Sequence, residues 1–200
     1  MIVFYIFLFA LAGFTLKIAD EYGEKGKKNL IGYIAALASA TFFWLLLNGD
    51  PYFSTVILAV VIGSAISLKV NRLNLIVGLA YLSVLSVIFG FKPPILLFLG
   101  IFSAIAFLDE LVHDRKAEKG RIQLFFRYRG LLKASVVLFA VLQWITPLSA
   151  VGLLTFDLCY ELSGKLLEKP RLHRISELHP LRVKQLFGFL IRKNQQGNAL

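Results

Sequence analysis

Four ionisable residues crowd the end of one apolar run, in Phe107-Leu-Asp-Glu-Leu-Val-His-Asp114. On a helix, Glu110 and His113 lie three apart and Asp109 and His113 four apart, so they can share one face. Glu-x-x-His lets a single helix offer a carboxylate and an imidazole to the same metal ion; the two-metal pattern needs two such motifs and this chain has one. Two other apolar runs carry acids at a comparable depth: Asp20 and Glu21 near the end of the first, Asp157 and Glu161 in the last. Carboxylates in or beside hydrocarbon are costly, so their recurrence marks a candidate working site.

Asp20, Asp109, Asp157 and Glu161 are hard oxygen ligands, suited to a divalent cation, Mg²⁺ before others. His113 and Glu110 are the candidate proton carriers. Lys69, Arg72, Arg115 and Arg129 fall at the same level and could hold a phosphate or lipid headgroup. Together they suggest an enzyme acting on a phosphorylated or isoprenoid lipid. Three other readings compete: a cation- or proton-coupled transporter or channel using the same acids, a non-catalytic membrane subunit, and an ion network in which acids simply pair with bases. The chain shows no Ser-His-Asp order, no Gly-rich phosphate loop and no redox cysteine pair. Its lone Cys159 excludes an internal disulfide and reads as a small apolar filler.

The elements that must position these groups are apolar helices. With 58% hydrophobic residues and a mean hydropathy of +0.72, the chain lies well above the ~45–50% apolar content of soluble domains. Seven runs approach spanning length: Ile2–Ala19, Leu30–Leu47, Tyr52–Leu68, Leu73–Phe89, Pro94–Val112, Leu131–Ile145 and Leu148–Leu166. No Lys or Arg precedes the first, so it reads as a membrane helix rather than a secretory leader. Asn48-Gly-Asp-Pro51 and Gly90-Phe-Lys-Pro-Pro94 read as tight turns. Small residues spaced by four (Gly32, Ala36, Ala40; Ala59, Gly63, Ser67; Gly100, Ala104) predict close helix contacts. Each odd-numbered run brings an Asp or Asn in its inner half, which suggests a repeated hairpin with the odd helices around a polar site.

The net charge is +10, yet nucleic acid is not the expected partner. If the seven runs span a bilayer, Lys92 is alone on one side and the other 21 of the 22 Lys and Arg fall opposite. That asymmetry predicts an outer N-terminus and a cytoplasmic C-terminus in the cell membrane, its basic side toward anionic headgroups. Arg121 to Arg129 and Pro180 to Lys193 interleave apolar and basic residues, as interfacial amphipathic helices do. The expectation is therefore all-α: a seven-helix polytopic membrane bundle over residues 1–166, followed by a basic tail over 167–200.

Overall fold

The computed structural model describes residues 1–24, 30–68, 70–114 and 130–167. Among these there are seven α-helices and no strand: α1 (Ile2–Glu24), α2 (Leu30–Leu47), α3 (Pro51–Ile66), α4 (Leu73–Phe89), α5 (Leu96–Asp114), α6 (Gly130–Val141) and α7 (Pro147–Leu167). Two of them, over Ile2–Gly23 and Leu30–Leu47, are long and apolar enough to cross a membrane; α3, α4 and α6 are shorter apolar helices. The chain divides into two units, Met1–Lys165 and Leu166–Leu200. Of the second, only Leu166 and Leu167 are described, so the interfacial helix expected over 180–193 lies outside the described residues, as does the basic segment 121–129.

The turns form where their residues dictate. At the start of α3, Pro51 occupies the first turn and the Asp50 carboxylate accepts the Tyr52 N–H at 2.8 Å. Pro there sacrifices no helical hydrogen bond, and the Asp satisfies one that would otherwise lack a partner. The α4–α5 connection is tied to the α2–α3 turn. Trp44 Nε1 donates to the Gly90 carbonyl at 3.1 Å, Lys92 Nζ to the Gly49 carbonyl at 2.7 Å, and the Lys92 N–H to the Leu47 carbonyl at 3.1 Å. These two turns therefore share one end of the bundle.

The sixth run was expected to continue to Ile145, but α6 stops at Val141. Gln143 adopts a left-handed conformation (φ 59°). Its N–H reaches the Ala140 carbonyl, and the Trp144 N–H the Phe139 carbonyl, at 3.0 and 2.9 Å. This is the Schellman ending, with Gln where Gly is usual, and Trp144 packs edge-on to Phe139 at 5.1 Å as such endings favour.

Packing pairs α1 with α2, α2 with α4, α3 with α5, and α5 with α6. One core joins Leu8, Phe9, Phe43, Leu46, Phe53, Leu82 and Phe156. Another joins Val56, Phe102, Ala106, Leu132, Val136 and Leu153. Helices α3 and α7 contribute to both. Glycine contacts bring backbones together: a Cβ on Gly13 would lie 2.1 Å from the Phe156 carbonyl oxygen, and one on Gly63 2.5 Å from Ala106 Cβ. The Gly63 contact answers the expected small-residue stripe, whereas Gly100 has nothing within 4 Å of a built Cβ. Outward faces are apolar. On α4 the buried residues are Asn74, Gly78 and Leu82, while Ile76, Val77, Val84, Val87, Ile88 and Phe89 are exposed.

Candidate functional site

Asp109 and Glu110 come from α5, at 1% and 3% exposure. The helix carries them to the junction of α3, α6 and α7, where they line a small cavity with Ser64, Leu132, Lys133, Phe156 and Asp157. Its volume of about 30 Å³ holds a water or two, or a small ion.

Lys133 lies in the first turn of α6 and points to α7. Its ammonium hydrogen-bonds the Asp157 carboxylate, and Glu161, one turn further along α7, is 3.8 Å away. Lys133 and Asp157 are each less than one-fifth exposed, so this pair is largely withdrawn from solvent. At that depth each charge depends on its partner, since an isolated one would carry its full desolvation cost.

Asp109 does not meet Lys133 in this way. Its Oδ1 accepts the Leu131 N–H at 3.2 Å and its Oδ2 the Leu132 N–H at 2.7 Å. These are among the first N–H groups of α6, which have no acceptor within their own helix. A carboxylate also suits the positive end of the helix dipole. Asp109 thus caps a helix that begins 21 residues later in the chain.

Asp20 belongs to a second cluster, joining α1, α4 and α7. Arg72 Nη1 donates to the Asp20 carbonyl at 2.6 Å and to its Oδ1 at 3.1 Å. Tyr160 donates its hydroxyl hydrogen to Asp20 Oδ2 at 2.9 Å, and Lys17 pairs with Glu21 at 2.8 Å and lies over the Tyr160 ring. Asn74 Nδ2 donates to the Ala19 carbonyl. Asp20 is not among the residues lining the cavity.

The structure therefore brings Asp109, Glu110, Lys133 and Asp157 to one cavity, with Glu161 beside Lys133, and places Asp20 with Arg72. Among the described residues, no group of three or more His, Cys, Asp or Glu side chains is arranged to hold a metal ion. Lys69, Arg115, Arg129 and the side chain of His113 lie outside the described residues. Sequence reasoning missed Lys133, Asn74 and Tyr160 as members of the two clusters. For Lys133 a signal existed: it interrupts an otherwise apolar run two residues after that run begins. Tyr160 carried none, because a tyrosine in an apolar helix is commonly packing. No family model, curated protein or solved structure matches this chain.

Proposed function

We propose that the chain is a multi-pass membrane protein that carries out ion-coupled transport, with protons or a small cation passing the Lys133–Asp157–Glu161 cluster. The bilayer placement is supported by the inversion of polarity: exposed faces carry Phe, Ile, Leu and Val, while Asp109, Glu110 and Asn74 are buried. Outside a bilayer, apolar surface of that extent would drive aggregation. All seven helices then span or enter the membrane, with the N-terminus outside because 21 of the 22 Lys and Arg fall on the opposite side.

The observation that carries the transport reading is an ammonium shared by two carboxylates beside a cavity of ion size. Acids facing a bundle interior commonly mark an ion or proton path. The lipid-phosphate enzyme expected from the acids would require Asp20, Asp109 and Asp157 to leave their Arg72, α6 and Lys133 partners.

The test is flux in vesicles containing the purified protein and a pH-sensitive dye, with Na⁺, K⁺ and Li⁺ gradients imposed in turn and the potential clamped. Wild type moves protons or cations well above empty vesicles, and Asp157→Asn lowers the rate at least tenfold. Wild-type flux equal to that of empty vesicles under every gradient overturns the reading.

A further inference from the structure

We infer that Asp109 is a positioning residue: from α5, it holds the first turn of α6 in place and thereby aims the Lys133 ammonium at Asp157 and Glu161. The inference rests on the transport reading for its functional meaning but has its own geometry. The two carboxylate oxygens of Asp109 accept from consecutive N–H groups, of Leu131 and Leu132, and Lys133 is the next residue. Leu132 is buried in the core shared with α5 and α7, so the start of α6 is held on one side by packing and on the other by Asp109. Lys133 is within hydrogen-bonding reach of Asp157 but 3.8 Å from Glu161. At such a margin, movement of the first turn by about an ångström, as unwinding a helix end allows, changes which acid the ammonium meets.

A carboxylate placed only for stability and one placed to aim Lys133 differ in one respect. The second controls how strongly Lys133 and Asp157 depend on each other. That dependence is read by a cycle of thermal unfolding midpoints for Lys133→Met, Asp157→Asn and the double variant, repeated with Asp109→Ala and Asp109→Asn.

With Asp109 in place, each single substitution lowers the midpoint and the double variant is no worse than the poorer single. With Asp109→Ala, the coupling between the pair falls at least fivefold. Asp109→Asn keeps one acceptor and retains an intermediate coupling, so it carries the same test if Asp109→Ala does not fold. Coupling unchanged in Asp109→Ala, or in Asp109→Asn where Asp109→Ala does not fold, overturns the inference. Flux is scored separately: wild type without flux ends the transport reading, while the unfolding cycle still decides the role of Asp109.

Discussion

At Lys133 and Asp157 the protein pairs an ammonium with a carboxylate at a site largely withdrawn from solvent. Removing one partner leaves the other unpaired, which typically costs about 3–5 kcal/mol, whereas replacing both with apolar groups of similar size is often neutral or better. Lys133→Met and Asp157→Asn should each lower stability by roughly that amount. Lys133→Met combined with Asp157→Leu should recover most of the loss in denaturant titrations of the purified protein, while abolishing flux. A double variant whose loss equals the sum of the two single losses would show that the pair does not share one energetic account. Gln143 makes a second residue-scale prediction. A non-glycine residue with φ near 59° is strained by about 1 kcal/mol. Gln143→Gly should therefore raise the unfolding midpoint, because the α6 ending is retained and the strain is relieved.

At the scale of elements, helix contacts depend on the absence of side chains at a few places. Gly13→Leu would drive carbon into the Phe156 backbone and separate α1 from α7, with a loss of more than about 2 kcal/mol. Gly100→Leu meets open space and should cost less than about 1 kcal/mol. Comparable effects at the two positions would refute the α1–α7 packing. The helices themselves were largely legible in the residues, because apolar runs bounded by Asn-Gly-Asp-Pro or Gly-Phe-Lys-Pro-Pro leave little choice of where elements begin. The end of α6 was not, since its left-handed residue is Gln and gives no compositional sign. The Asp109 cap was not legible either. Capping residues are sought beside the helix they cap, and this one arrives from another helix. The Lys133–Asp157 contact likewise joins residues 24 apart, a distance no helical spacing encodes.

For the whole molecule, the tie between the α2–α3 and α4–α5 turns fixes relative sidedness. In a Cys159→Ala background, single cysteines at Gly49 and Phe91 should react with a membrane-impermeant thiol reagent from the same side, and one at Asn71 from the other. Gly49 and Asn71 labelled from one side would overturn the proposed spanning arrangement. The hydrogen bonds of Gly49, Gly90 and Lys92 put these two turns at one end of the bundle; which side of a membrane that end faces is what the labelling reads.

The brevity of α6 bears on where such a protein would be thin. Twelve residues advance about 18 Å, against a hydrocarbon layer of roughly 30 Å. From Lys133 to the Schellman ending the helix climbs only about 12 Å. In the proposed membrane placement, lipid beside the described α6 would dimple inward, or headgroups and water would follow the chain down to Trp144. In that placement the insulating wall between the Lys133 ammonium and the far aqueous phase would be thin along this edge, and an electric field across the membrane would drop steeply there.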